Sequence, residues 1–129
     1  MATLNDAARS IIDKPNLAFV ATVMSDGSPQ VTPVWIERED DTITFNTATG
    51  RVKYGNMRRD PRIAIAVVDR DDDYACTVIR GRVVEMIEGE EADRQIDRLS
   101  KKYTGNDKYQ GHRPNESRVR VVVEPVSVR

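Results

Sequence analysis

The feature that most restricts the fold is a succession of short apolar runs separated by tight, charged or glycine-bearing turns. Leu17 to Met24 predicts a buried strand, and Ser25-Asp26-Gly27-Ser28 has hairpin chemistry, with Gly27 supplying positive φ. Gln30 to Arg38 returns as a second strand. Thr42 to Thr47 is a third, with Ile43 and Phe45 on one face. Ile63 to Val68 is apolar on both faces and predicts a central strand. Tyr74 to Ile87 is long enough for a bent strand with a bulge at Gly81, and Ser117 to Val128 closes the set with Val119, Val121 and Val123 aligned. Strands joined by tight turns exclude a doubly wound parallel sheet and predict a mainly β fold of six strands, an antiparallel barrel or sandwich.

Helices are few. Thr3 to Asp13 has a capping-box start at Thr3 and Asp6, and Leu4, Ala7, Ala8, Ile11 and Ile12 recur at helical spacing. Arg51 to Asp60 predicts a short helix ended by Pro61, with Val52 and Met57 facing inward. Glu88 to Tyr103 is amphipathic, with Glu90 and Glu91 in its first turn and Lys101 and Lys102 in its last. A chain of 129 residues fits one domain.

Charge and cysteine usage narrow the function classes. The net charge of −1 offers no field for nucleic acid or an anionic membrane, so an anion site must come from a local cluster. No apolar run approaches the roughly 20 residues of a membrane span. The one cysteine, Cys76, cannot form an internal disulfide, and the first residues lack the basic and apolar regions of a signal peptide. The expected location is therefore the cytoplasm. One histidine, His112, and one cysteine do not make a zinc site, and Asp71-Asp72-Asp73 lacks the spacing of a calcium loop. No metal is expected. Arg118 and Arg120 alternate with valines, so they share a strand face that is either exposed or borders the site of a partner.

One segment carries chemistry. Gly50-Arg51-Val52-Lys53, with Asn56 following, comes after a strand and opens a helix. Unpaired N–H groups at a helix start, a guanidinium fork at Arg51 and an ammonium at Lys53 suit a phosphate, and Thr47 and Thr49 can add hydroxyl donors. A solvated cationic helix continuing through Arg58 and Arg59 is the competing reading of the same residues.

Several segments share one resemblance. They are Ala18 to Thr22 with Asp26-Gly27 and Pro29-Gln30, Pro33-Val34-Trp35, Gly50 to Lys53, and Asn56 to Arg62. With them the chain resembles the pyridoxamine-phosphate-oxidase-like split-barrel flavoproteins, most closely their small members that use the deazaflavin F420. The resemblance implies a split β-barrel with short flanking helices. It also implies a homodimer binding F420, or alternatively FMN, between its subunits. Arg51 and Lys53 would hold the phosphate, with Val52 between them. Gln30, Val31, Thr32, Pro33 and Val34 would run beside the ring, and Asn46 and Thr47 would contact the ribityl chain or phosphate. Tyr74, Ala75, Cys76 and Thr77 could reach the cofactor from the second subunit, and Trp35 could line the substrate side. The implied activity is hydride transfer between the deazaflavin and a small unsaturated substrate. An FMN oxidase or reductase and a non-catalytic cofactor carrier are the alternatives.

Overall fold

A computed structural model describes residues 1–129. Three helices and seven strands follow in chain order. They are α1 (Asp6–Asp13), β1 (Ala18–Val23), β2 (Pro29–Val34), β3 (Ile36–Glu39), β4 (Thr42–Ala48), α2 (Val52–Arg59), β5 (Arg62–Asp69), β6 (Asp72–Glu88), α3 (Glu90–Thr104) and β7 (Arg118–Val128). No helix is long and apolar enough to cross a membrane.

All strand pairings are antiparallel, in the order β2-β1-β5-β6-β7-β4-β3. The two ends of that order, β2 and β3, are neighbours in the chain, separated by Trp35 alone. A flat sheet cannot satisfy both facts. The sheet curls until its edges meet at Trp35, which makes the split barrel.

This corrects one expectation: the run from Gln30 to Arg38 is two strands, not one, so the sheet has seven strands rather than six. The physical reason is at Ile36, whose N–H donates to the Tyr103 hydroxyl at 3.1 Å. β2 pairs with β1 on one edge and β3 with β4 on the other.

The core fills the inside of the curl. Phe45, Ile36, Ile43, Ile65, Ile79, Val67, Val119 and Val121 are fully enclosed, and α1 adds Leu4, Ala8, Ile11 and Ile12. Inward residues alternate along β5 as the pleat requires, its outward Ala64, Ala66 and Val68 are apolar too, and the strand lies inside the sheet between β1 and β6 as expected. Gly27 has φ +88 in the β1–β2 hairpin, as its turn demands. At Gly81 the register with β7 shifts, and an added Cβ would lie 2.7 Å from the Glu124 carbonyl oxygen.

Two further details differ from expectation. Asn5, not Thr3, caps α1: its side chain accepts from the Ala8 N–H at 2.8 Å, and Ala7 stays exposed. On α2, Met57 is buried but Val52 faces solvent. Five helical positions rotate a side chain by about 140°, so the two cannot share a face. Asn56 goes inward beside Met57 and donates to Thr22 Oγ1 at 3.0 Å.

Replacing Gly81 by Ala should lower stability by about 1–3 kcal/mol, because the new methyl meets backbone that cannot yield. Urea denaturation with an unchanged midpoint would show that β6 and β7 are not packed as tightly as described.

Candidate functional site

Strand β4 ends at Ala48, and the chain turns through Thr49 and Gly50 into α2. The Arg51 N–H donates to the Ala48 carbonyl at 3.0 Å, and the Thr49 N–H to the Ser117 carbonyl at 3.0 Å. These bonds hold the start of α2 against the start of β7. Arg51 is the N-cap, with extended backbone, and no side chain caps the helix. Because β7 pairs with β4, Arg118 lies opposite Ala48 and next to this corner.

Arg51, Lys53 and Arg118 line one cavity of about 320 Å³ together with Leu17, Pro33, Val34, Trp35, Asn46, Thr47, Ile96, Leu99 and Tyr109. Its lining includes no carboxylate. Neither Arg51 nor Lys53 forms an ion pair within the chain. Burial pushes the Lys53 ammonium below the ordinary lysine range, and the neighbouring Arg51 and Arg118 charges push it the same way. An anion placed among these groups relieves all three penalties.

Arg118 is buried and held from several sides. Its Nε donates to Asn46 Oδ1 at 2.8 Å, its Nη1 bonds to the Glu116 carboxylate, and its guanidinium carbon lies 5.1 Å from the centre of the Tyr109 ring. Asn46 in turn donates from Nδ2 to the Ala92 carbonyl at 2.9 Å and to Gln95 Oε1 at 3.0 Å. The amide of Asn46 is thus occupied in orienting Arg118 from α3. Thr47 Oγ1 is buried at the cavity without a hydrogen-bond partner. A buried hydroxyl without a partner is costly, and a bound acceptor or donor would satisfy it.

Part of the cavity wall is apolar and aromatic, and Arg118 borders it through Tyr109. Trp35 stacks on Tyr103 with ring centres 5.5 Å apart and 13° between planes, and Tyr109 meets Trp35 edge to face at 6.0 Å and 89°. Tyr103 is locked: its hydroxyl accepts from the Ile36 N–H and donates to the Asn16 carbonyl at 2.7 Å. Burial holds its phenol above the ordinary range. Lys102 donates to the Ile12 and Ile36 carbonyls at 2.6 and 2.7 Å, and burial lowers it to about 8 against the pull of Asp13 and Glu37.

Of the residues singled out from the sequence, Pro33, Val34, Asn46, Thr47, Arg51 and Lys53 meet at this cavity. Gln30, Val31 and Thr32 lie farther along β2, with Val31 on the outer face and Thr32 Oγ1 buried without a partner. Val52 points to solvent. On β6, Tyr74 and Cys76 are exposed, Ala75 packs against the core, and Thr77 is buried with its hydroxyl donating to the Arg129 carbonyl at 3.2 Å. None of these four lines the cavity within the chain.

Arg118 and Tyr109 were not expected at the site. The signal for Arg118 was the presence of two arginines in a valine strand; both prove buried within the chain rather than exposed, and Arg118 borders the cavity. Arg120 pairs with Glu39 at 2.7 Å and Glu91 at 2.8 Å, which fastens α3 to the sheet. Tyr109 had no local signal, because its position depends on the path of the loop after α3.

Comparison with known proteins follows the same lines. The family model for "Pyridoxamine 5'-phosphate oxidase" matches residues 4–129. A solved structure described as an F420 reductase is 27% identical, with TM-score 0.84 and 98% of each chain covered. A conserved hypothetical protein from Mycobacterium tuberculosis is 24% identical with TM-score 0.75, covering 98% of this chain and 83% of that one. A putative pyridoxamine 5'-phosphate oxidase from Listeria innocua is 20% identical with TM-score 0.68, covering 93% and 91%. The last two share the fold.

Removing only the Tyr103 hydroxyl, as Tyr103→Phe, strands the Ile36 N–H and the Asn16 carbonyl. Stability should fall by about 1–3 kcal/mol, and the emission of Trp35, the one tryptophan, should shift as its stacking loosens. A variant matching the parent in both chemical denaturation and emission would contradict the locking role.

Proposed function

The chain belongs to the pyridoxamine 5'-phosphate oxidase family, and from that premise we propose that it is an F420-dependent oxidoreductase acting on a small unsaturated organic substrate. The observation that carries the reading is the cation set of Arg51, Lys53 and Arg118 in a cavity that also has an apolar and aromatic wall. With Glu116 paired to Arg118, these groups leave a formal charge of +2, which suits an anionic phosphate, whether the monoester dianion of FMN or the phosphodiester of F420. The similarity to the protein described as an F420 reductase favours the deazaflavin. The family description favours FMN as the second reading.

The residues fit such a group on two counts. Two unpaired cations await an anion, and the buried Thr47 hydroxyl lacks a partner. Arg51 and Lys53 would hold the phosphate, Arg118 would approach it from β7, and Thr47 would supply a hydroxyl. Pro33 and Val34 would border the ring. When bound, the reduced deazaflavin supplies a hydride to an acceptor carbon. The chain itself then needs no nucleophile; it anchors one end, orients the other, and excludes water with Leu17, Ile96 and Leu99.

The outer face of β2, β1, β5 and β6 supports a homodimer. Phe19, Ala66 and Val78 form one cross-strand row and Ala21 and Val31 another, and Phe19, Val31, Val68 and Val78 are exposed. An apolar sheet face of this kind marks an interaction surface. Pro33 belongs both to this face and to the cavity wall, so the two are continuous. In such a dimer Tyr74 of the partner subunit would reach toward the cavity, along with the partner's Ala75, the partner's Cys76 and the partner's Thr77.

Titrating F420 and FMN side by side, followed by fluorescence, tests the reading. F420 should bind more tightly, and Arg51→Ala with Lys53→Ala should weaken it about 10²–10⁴-fold, since each charge-assisted contact is worth about 1.5–3 kcal/mol. Unchanged affinity in the double variant removes the phosphate from this corner.

Affinity should also depend on pH with a definite sign. The anion favours protonated Lys53, so binding should weaken as pH rises through the depressed Lys53 titration, with proton uptake on binding there. For FMN it should also weaken below about pH 6, where a phosphate monoester gains its second proton, whereas the phosphodiester of F420 has no such step. A flat profile by calorimetry up to the ordinary lysine range would remove Lys53 from the contact.

For the dimer, light scattering should report two copies per particle, and Phe19→Asp should convert it to one. A parent that is already monomeric at micromolar concentration contradicts the pairing.

A further inference from the structure

One carboxylate is attached to the cation corner, and its placement is specific. Glu116 stands two residues ahead of β7, and its neighbour Ser117 is pinned to the corner by the Thr49 N–H, which donates to the Ser117 carbonyl at 3.0 Å. The Glu116 carboxylate accepts from Arg118 Nη1 and forms no other ion pair. Both side chains are nearly enclosed, at 7% exposure for Arg118 and 10% for Glu116, so solvent screens the pair weakly. Glu116 does not line the main cavity. It borders a smaller cleft of about 210 Å³ with Gly50, Arg51 and Arg113. It therefore bears on the cavity as a charge while leaving the space there free.

Arg120 shows what fuller compensation looks like. It lies two residues farther along the same face of β7, is also buried, and pairs with both Glu39 and Glu91. Arg120 does not line the cavity. At the cavity, by contrast, Arg51, Lys53 and Arg118 share Glu116 alone. An amide at position 116 would satisfy the Arg118 N–H and leave the whole positive charge to a ligand. A carboxylate takes part of that charge away. It takes more from a ligand that carries more charge, because Coulomb energy scales with the product of the charges.

We propose that Glu116 is a specificity-determining residue: its fixed charge behind Arg118 narrows the margin by which the corner favours a doubly charged phosphate monoester over a singly charged phosphodiester. The inference rests on the reading of this corner as the phosphate site, and assigns a role to a residue that does not touch the phosphate. With Glu116 in place, a phosphodiester competes for the corner against monoesters. Without it, three cations would rank ligands chiefly by their charge.

Phenyl phosphate and methyl phenyl phosphate isolate the effect. At about pH 7.5 the first is mainly a dianion and the second a monoanion of nearly the same shape. NMR titration of the full-length protein gives both affinities. Glu116→Gln keeps an acceptor for Arg118 and removes the charge. It should tighten the dianion about tenfold and the monoanion about threefold, since the gain in free energy scales with ligand charge. Glu116→Asp keeps the charge and should leave the ratio of the two affinities within about twofold of the parent's. Without ligand, Glu116→Gln should melt below the parent, because three cations lose their counter-charge. Phenyl phosphate should then raise its melting temperature by more than it raises the parent's. A substitution that only damaged the site would lower stability and affinity together.

Weaker binding of both esters in Glu116→Gln, unchanged binding, or equal gains for the two overturns the proposal. The Arg51→Ala, Lys53→Ala double variant separates it from the phosphate reading. If that variant loses both esters while Glu116→Gln changes nothing, the phosphate reading stands and the role of Glu116 falls. If Glu116→Gln gives the charge-scaled gain while the double variant binds as the parent does, the role stands through Arg118 alone and the Arg51–Lys53 contact falls. Absence of binding by either ester to any form overturns both.

Discussion

A single residue joins the two edges of the sheet, and most of the molecule follows from that. Because β2 ends at Val34 and β3 begins at Ile36, the chain must pass from one edge to the other at Trp35. Ladder bonding is interrupted there, and the backbone groups of Ile36 need other partners. α3 provides them. Tyr103 takes the Ile36 N–H, Lys102 donates to the Ile36 carbonyl, and the Tyr103 ring covers the indole. The last turn of one helix therefore closes the barrel seam.

The same closure makes the cavity. Its walls are the seam residues Leu17, Pro33, Val34 and Trp35, the helix residues Ile96 and Leu99, and the β4–α2 corner with its cations. α3 is held from its other end by Arg120, which pairs with Glu39 and Glu91. Between these fastenings Gln95 and Asn46 hand the orientation of α3 to Arg118. Chemistry at one end and packing at the other are thus built on one helix, with polar bonds across the sheet replacing what would otherwise be buried unpaired groups.

Electrostatics gives the cationic end its purpose. Bringing Arg51, Lys53 and Arg118 together costs mutual repulsion and desolvation, visible in the lowered Lys53. The chain offsets that only in part, through Glu116. Under the proposed function, the charge of the bound ligand would cancel that cost.

Local pattern alone determined the strands, the hairpin at Gly27, the bulge at Gly81 and the Arg51–Lys53 corner. Each depends on alternation, turn chemistry or a spacing of a few residues. Tertiary structure decided what those signals could not carry. The break at Trp35 is invisible locally, because its cause lies in Tyr103, far along the chain. The local pattern turns Val52 inward and allows Arg118 to be exposed, yet helix rotation leaves Val52 in solvent and the docking of α3 buries Arg118. Tyr109 reaches the cavity only because a loop folds back over it. The division has a physical origin: backbone preferences act between neighbours, whereas a cavity is made by side chains that meet only after the sheet has curled.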